Sequence, residues 1–239
     1  MGGTIFITGN SSGLGRALTE EYLQQGHAVY GLSRRGFGDD RPHLHDVKCD
    51  LAQGDAIVPA LNQLLSKSGD SALDLVILNA GVLGEIRDLA TTPLADIRRV
   101  MDINVWANKA ILDWLVNRGA PVTQIVLISS GAAVNGNKGW GAYSLSKATV
   151  NMLAMLYAHE LPDSHLAALA PGLVDTAMQD YLCDPSKVDE AQYPTVAKLR
   201  HARNTQDMPE PKEAAHRIAA VIPKLKDYPS GSFVDIRTM

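Results

Sequence analysis

Short apolar segments alternate with longer segments of helical periodicity along most of this 239-residue chain, and this alternation limits the possible folds more than any other feature. The short apolar segments predict seven β-strands, at residues 4–8, 28–32, 47–49, 73–78, 124–129, 165–170 and 232–236. The longer segments predict helices, at residues 14–25, 57–65, 93–104, 107–117, 143–161 and 213–222. Strands that are apolar on both faces and separated by helices are typical of a parallel sheet covered on each side.

The connections between these elements predict a doubly wound, Rossmann-type α/β domain, because right-handed crossovers place helices on both faces of the sheet. No repeat and no change in composition marks a second domain, so residues 1–239 are predicted to form a single domain. Residues 177–211 interrupt the alternation with charges, prolines and little regular apolar spacing. Ligands bind beyond the carboxyl ends of the strands in such sheets, so we expect this insertion to cover a substrate. A surface excursion without a role is the alternative.

Charge and residue usage argue against several kinds of partner. The formal net charge is −4 and no stretch is strongly basic, which disfavours nucleic acid and anionic membranes. The first ten residues lack the basic region of a signal peptide, and no apolar run approaches the length of a membrane span. Cys49 and Cys183 lie outside any C-x-x-C pair, and the seven histidines show no metal-binding spacing. We therefore expect a cytoplasmic protein without a metal site.

A glycine-rich turn, T-G-N-S-S-G-L-G at residues 8–15, joins the first predicted strand to the first helix. Gly9 permits a tight turn, Gly13 lets the backbone approach a pyrophosphate, and Gly15 allows close contact between helix and strand. The helix N-terminus offers free N–H groups and a positive dipole to phosphates. The turn predicts a dinucleotide site, with a purely structural loop as the alternative. The contacts expected are from Gly9, Ser11, Ser12, Gly13, Leu14 and Gly15.

The end of the second predicted strand indicates which dinucleotide is bound. Rossmann proteins that select NAD place an acidic residue there, against the ribose 2′-hydroxyl. This chain has Ser33, Arg34 and Arg35 instead. Ser33 can donate a hydrogen bond to a 2′-phosphate, and Arg34 can form a fork to it. We therefore expect NADP(H), with two solvated arginines as the alternative.

Tyr143 and Lys147 open the long predicted helix on one face, because residues four apart are neighbours on a helix. A nearby ammonium is expected to lower the pKa of the phenol from about 10 towards neutrality, which suits proton transfer. By itself this spacing is a common accident of helical sequences. However, polar strand ends at 79–81 and 129–131 are predicted to face the same crevice as the glycine-rich turn.

Together these residues resemble the short-chain dehydrogenase/reductase family in its single-domain form. The match comprises T-G-x3-G-x-G at 8–15, N-A-G at 79–81, Ser130, Y-x3-K at 143–147 and P-G at 171–172. The resemblance implies that Tyr143 protonates a carbonyl oxygen while hydride arrives from the nicotinamide. Lys147 then holds the nicotinamide ribose, Ser130 stabilises the developing alkoxide, and Asn104 anchors a proton-relaying water. The alternatives are that Ser129 takes the place of Ser130, and that Asn104 only caps a helix.

The resemblance also implies further cofactor contacts and an assembly. Asp50 and Leu51 correspond to the adenine contact, although Asp50 also suits an ordinary turn. Residues expected beside the adenosine ribose are Asn79, Ala80 and Gly81, and those beside the nicotinamide are Pro171, Gly172, Val174 and Thr176. The family further implies a homodimer or homotetramer.

Two segments narrow the substrate. A-P-G-x2-D-T-x-M-Q at 170–179 and S-G-S-F-V-D at 230–235 resemble the sepiapterin reductase branch and the related bacterial benzil reductases. There Asp235 matches the aspartate that anchors the pterin, although it also suits the end of the last strand. Compared with the animal sepiapterin reductases, this chain has little sequence between the fourth predicted strand and Pro93. A ketone or diketone is therefore at least as well supported as a pterin. Trp140, Leu83 and Met178 are the apolar candidates for the pocket wall. We expect an NADPH-dependent carbonyl reductase. The alternatives are a non-catalytic NADP(H)-binding regulator and an epimerase of the extended family.

Overall fold

The computed structural model describes residues 2–66 and 72–239 and contains one seven-stranded parallel sheet. The strands are β1 (Thr4–Thr8), β2 (Ala28–Ser33), β3 (Leu44–Lys48), β4 (Leu73–Leu78), β5 (Val122–Ile128), β6 (His165–Ala170) and β7 (Ser232–Asp235). Their order across the sheet is β3-β2-β1-β4-β5-β6-β7. The chain reverses direction across the sheet after β3, so β1 and β4 lie side by side at the topological switch point. The predicted doubly wound α/β fold is confirmed.

Helices cover both faces of the sheet. They are α1 (Gly13–Gln24), α2 (Gly54–Leu65), α3 (Leu94–Met101), α4 (Ala107–Arg118), α5 (Gly141–Glu160), α6 (Ala177–Cys183), α7 (Thr195–Ala202) and α8 (Pro211–Val221). One core is formed with α2, α4 and α5, and the other with α1 and α8. Strand β1 shows how one sequence serves both cores: Phe6 packs into the first, whereas Ile5 and Ile7 pack into the second.

Two predicted boundaries differ for identifiable reasons. Strand β3 begins at Leu44 rather than at residue 47, and as an edge strand paired only with β2 it carries a weak apolar signal. The predicted break after residue 104 is wrong, because a π-helical turn, Asp102–Trp106, joins α3 to α4. Asn104 lies inside this turn and is fully buried, so it is not a helix cap.

The segment 177–211, called the lid segment below, contains the two short helices α6 and α7, which the sequence did not predict. Their apolar side chains join a third, smaller core that includes Leu182, Val196 and Leu199. This core lies apart from the two that flank the sheet and includes Tyr143 of α5. The lid segment is therefore packed against α5 and the loop that follows β4.

Within the described ranges, no helix has both the length and the apolar character needed to cross a membrane.

Candidate active site

A cavity of about 660 Å³ lies at the carboxyl ends of the strands, between the sheet and the lid segment. Every residue predicted to contact the cofactor lines it: Gly9, Ser11, Ser12, Gly13, Leu14, Gly15, Ser33, Arg34, Arg35, Asp50, Leu51, Asn79, Ala80, Gly81, Tyr143, Lys147, Pro171, Gly172, Val174 and Thr176. Ser130, Trp140 and Met178 line it as well. Asn104, Asp235 and Leu83 lie outside the lining, and Leu83 belongs to the third core.

The glycine-rich turn has a backbone that other residues cannot adopt without strain. Gly9 has φ +72° and Gly13 has φ +54°. A Cβ on Gly15 would lie 2.2 Å from the carbonyl oxygen of Gly9, so only glycine allows this approach of helix to strand. Ser12 precedes α1 without a side-chain cap, which leaves the first N–H groups of the helix available to a ligand. This cradle fits the pyrophosphate of a dinucleotide.

The charges that line the cavity favour an anionic ligand. The cationic residues of the lining are Arg34, Arg35, Arg99, Lys147 and Arg237, whereas Asp50 is its one carboxylate among the described residues. This excess contrasts with the chain's net charge of −4. Arg34 and Arg35 are exposed and make no ion pair in the described part of the chain. Ser33 beside them is buried, and its Oγ has no hydrogen-bond partner there.

Asp50 lies in the cavity wall and is also part of a turn. It lines the cavity, and its Oδ1 also accepts a hydrogen bond of 3.1 Å from the backbone of Ala52 in the turn before α2. The carboxylate is therefore held in place by its own turn.

Tyr143, Lys147 and Ser130 meet at the other end of the cavity. Tyr143 and Lys147 are buried, with 9% and 4% of their surface exposed. Lys147 Nζ lies 5.6 Å from the centroid of the Tyr143 ring and donates a hydrogen bond of 2.7 Å to the carbonyl oxygen of Ile128. The Ser130 side chain lies close enough to the Tyr143 hydroxyl to lower the pKa of the phenol. A phenol and a hydroxyl that lie this close together can both contact the same carbonyl oxygen.

The environment shifts both ionisable groups away from the sequence-based expectation. Burial raises the pKa of Tyr143 to about 12, and the Ser130 side chain opposes this rise only in part. Burial also lowers the pKa of Lys147 to about 8. The prediction that the ammonium lowers the phenol's pKa towards neutrality is therefore wrong for the protein alone, because desolvation of the buried phenol dominates its pKa. At neutral pH the phenol keeps its proton.

The structure distinguishes Ser130 from Ser129. Ser129 Oγ donates a hydrogen bond of 2.5 Å to Asn151 Oδ1 and is buried. Ser130, by contrast, lines the cavity beside Tyr143, and its Oγ accepts from the backbone N–H of Ala132 at 3.1 Å. Ser130 is thus the serine that shares the phenol's surroundings.

Asn104 holds two elements together beside this group. Its Oδ1 accepts from the backbone N–H of Val82 at 2.8 Å, and its Nδ2 donates to the carbonyl oxygen of Val82 at 2.9 Å. The same Nδ2 donates to Ser146 Oγ at 3.0 Å. Both N–H donors and one acceptor site of the side-chain amide therefore tie the loop after β4 to α5.

Asp235 forms an ion pair with Arg237, two residues further along the chain. Arg237 Nε lies 2.9 Å from Asp235 Oδ1, and Arg237 Nη2 lies 2.6 Å from Asp235 Oδ2. This pairing lowers the pKa of Asp235. The guanidinium of Arg237 thus presents to Asp235 the same N–C–N edge that a pterin would offer. The proposed pterin anchor is already occupied within the chain.

The wall of the cavity facing Tyr143 is apolar. The Trp140 ring meets Tyr143 edge-on at a centroid distance of 6.2 Å, and Met178, Leu182 and Leu199 come from the lid segment. Helices α6 and α7 are joined by Arg200 of α7, whose Nε donates to the carbonyl oxygen of Cys183 at 3.2 Å. This end of the cavity can hold an apolar organic group next to the phenol.

Sequence reasoning missed several lining residues, because their positions depend on tertiary packing. They include Arg99, Ile103, Asn135, Gln179, Thr195 and Arg237. For Arg237 the sequence contained a nearby signal, because this residue lies two positions after the predicted substrate residue Asp235.

The seven-stranded parallel sheet with helices on both faces places this protein in the Rossmann-like α/β class. The family model for short chain dehydrogenase matches residues 3–186, and the chain belongs to this family, whose members use NAD(P)(H). Among its relatives, a benzil reductase ((S)-benzoin forming) of Bacillus subtilis is 28% identical, with 97% of each chain covered. A benzil reductase of Saccharomyces cerevisiae is also 28% identical, over 94% of this chain and 91% of the relative. A crystal structure of ElxO with NADP bound has a TM-score of 0.77 at 21% identity, with 99% and 97% covered.

Proposed function

We propose that this protein is an NADPH-dependent carbonyl reductase whose substrate is an apolar ketone or diketone. The observation that carries the proposal is that Ser130, Tyr143 and Lys147 lie together in the wall of a cationic cavity that ends in an apolar pocket. This arrangement combines a dinucleotide cradle, a proton donor and a binding surface for the substrate.

The cofactor is proposed to lie along the cavity from the basic end to the phenol. Gly13 and the N-terminus of α1 would hold the pyrophosphate, and Arg34 with Ser33 would hold a 2′-phosphate. Lys147 would contact the nicotinamide ribose. A reduced nicotinamide bound there would supply the hydride for the carbonyl carbon. NADPH is favoured over NADH because the residues beside the 2′ position are Ser33 and two unpaired arginines among the described residues, without a carboxylate.

The proton is proposed to come from the Tyr143 hydroxyl. Because this phenol is protonated at neutral pH, it can donate to the carbonyl oxygen as that oxygen gains charge, while Ser130 donates a second hydrogen bond. The reverse reaction needs the phenolate, which a pKa of about 12 makes scarce. At neutral pH the phenol is thus in the protonated state from which it can donate, and after each reduction the phenolate would regain its proton from solvent.

The lining favours a ketone or diketone over a pterin. The pocket beside Tyr143 is apolar, and Asp235 is already paired with Arg237. Two relatives that match almost the whole chain are benzil reductases, and benzil is a vicinal diketone with apolar substituents. The lid segment is proposed to cover the bound substrate, because α6 and α7 contribute part of its wall.

A substrate panel tests this proposal. Purified protein is mixed with NADPH or NADH and with benzil, a monoketone or sepiapterin, and the loss of reduced-nicotinamide absorbance is followed. We expect turnover of benzil with NADPH, much slower turnover with NADH, and little with sepiapterin. Tight NADPH binding without turnover of any carbonyl in the panel would instead support a non-catalytic NADP(H)-binding protein.

A further inference from the structure

Arg237 borders the catalytic end of the cavity. It follows β7, and its Nη2 lies 3.0 Å from the position that a Cβ on Gly131 would take, next to Ser130. Its Cγ and Cδ lie 3.8 and 3.9 Å from the corresponding position on Gly172. The guanidinium therefore lies between the loops that follow β5 and β6, both of which line the cavity.

The guanidinium is oriented by Asp235, yet it keeps donors to spare. Asp235 accepts from Nε, from Nη2 and from the backbone N–H of Arg237, at 2.9, 2.6 and 3.0 Å. A guanidinium has five N–H donors, so three remain after the two side-chain bonds. No other partner of Arg237 occurs in residues 2–66 and 72–239, and 57% of its side chain is exposed.

The ion pair determines which acceptor suits these donors. Asp235 and Arg237 carry opposite charges, so the pair has no net charge. Asp235 offsets the attraction of the guanidinium for a carboxylate on the substrate, whereas a neutral carbonyl oxygen can accept a hydrogen bond from the remaining donors without that repulsion. The neighbouring pocket, lined by Trp140, Leu182 and Leu199, also suits neutral apolar substituents.

We propose that Arg237 is a specificity-determining residue that binds the second carbonyl oxygen of a vicinal diketone. The first carbonyl then lies at Ser130 and Tyr143, and Asp235 is a positioning residue that aims the guanidinium. This inference rests on the proposed carbonyl reductase function and deepens it. It assigns Asp235 a role other than contact with the substrate, in agreement with its position outside the lining.

The test compares a vicinal diketone with a monoketone of similar size, 1-phenyl-1,2-propanedione and propiophenone, in wild type and R237M. Losing a charged hydrogen bond of the usual strength lowers kcat/KM by about 10- to 100-fold. We expect this loss for the dione, mainly as a higher KM, and a loss below about threefold for propiophenone. R237K keeps the charge but loses the forked geometry of the guanidinium, so its kcat/KM for the dione is expected to lie between those of wild type and R237M. R237K serves as the test if R237M does not fold.

The matched control is R217M, which removes an exposed arginine of α8 outside the cavity lining and is expected to change neither substrate. Equal losses for the dione and propiophenone, or no loss for either, would overturn the role of Arg237 while leaving the proposed reductase intact. Wild-type preference for phenylglyoxylate over the dione would overturn the choice of a neutral acceptor. A wild type inactive on both ketones would overturn the proposed function and this inference together.

Discussion

At the scale of single residues, Tyr143 and Lys147 show how burial reverses a simple electrostatic expectation. Spacing on a helix predicts that the ammonium makes the phenol more acidic. The ammonium instead donates to Ile128, and desolvation raises the pKa of the phenol and lowers that of the amine. Desolvation depends on tertiary packing, so no local pattern could have revealed it.

The buried Lys147 makes the stability of the protein depend on pH. Its pKa falls from 10.5 to about 8 on folding, so between these values the unfolded chain binds the proton more strongly. Stability therefore rises with pH in this window, and the cost of burying the charge is fully present below pH 8. We expect the free energy of unfolding of wild type, relative to K147M, to rise by about 2 kcal/mol from pH 7 to 9.5.

Urea unfolding of the two proteins at both pH values measures this difference. Tyr143 is common to both, so its own titration cancels. Parallel pH profiles for wild type and K147M would show that Lys147 does not titrate between pH 7 and 9.5.

At the scale of elements, the parts of the fold that the sequence predicts are those with strong local signals. β1, β4 and β6 begin and end as predicted, because each is a short apolar segment followed by a glycine, an asparagine or a proline. The glycine-rich turn also has the expected geometry, since its constraints lie within eight residues. The π-helical turn around Asn104 was not predicted, because it depends on bonds to Val82 and Ser146 from distant elements.

The lid segment was predicted as an insertion but not as helices. Helices α6 and α7 are seven and eight residues long, and their apolar side chains pack on Tyr143 and Ile86 rather than on the sheet. Helices this short are not stable alone and depend on tertiary contacts. Their periodicity is consequently too weak to detect in the sequence.

Arg203 at the end of α7 anchors the lid segment to the loop after β6. Its Nη2 lies 3.0 Å from Asp175 Oδ1 and also pairs with Asp180 of α6, while Asp175 N–H donates to the carbonyl oxygen of Pro209 at 3.0 Å. We expect R203A to loosen the lid segment, raising KM for the ketone several-fold with a smaller change in kcat. Steady-state kinetics and limited proteolysis measure these effects.

The control for R203A is K198A, which removes an exposed cation of the same helix without an ion pair in the described chain. Faster cleavage within 177–211 in R203A alone is the expected result. Unchanged KM and unchanged cleavage in R203A would show that Arg203 does not hold the lid segment in place.

At the scale of the whole molecule, an apolar surface on α5 supports the proposed homo-oligomer. Leu145, Met152, Met155 and Leu156 are about half exposed, and Trp106 beside α4 is exposed to a similar degree. Contiguous apolar surface of this kind is uncommon in monomers, and a second copy presenting the same face would cover it. We propose this face as the contact between two copies.

The double substitution M155K/L156K places two like charges on each side of that contact. We expect it to yield a monomer by light scattering with little loss of helical circular dichroism, because both side chains are outward-facing. L94K, which charges an exposed leucine of α3 instead, is the control and should keep the wild-type mass. An unchanged mass for M155K/L156K would place the contact elsewhere.

The most direct measurement compares Y143F with wild type, in NADPH binding by fluorescence and in turnover of benzil. Removing the hydroxyl removes the proton donor but leaves the cradle of the glycine-rich turn and Lys147 in place. We expect NADPH affinity within about threefold of wild type and a fall in kcat of about 10²-fold or more. Turnover by Y143F close to the wild-type rate, with NADPH still bound, would show that this phenol does not deliver the proton.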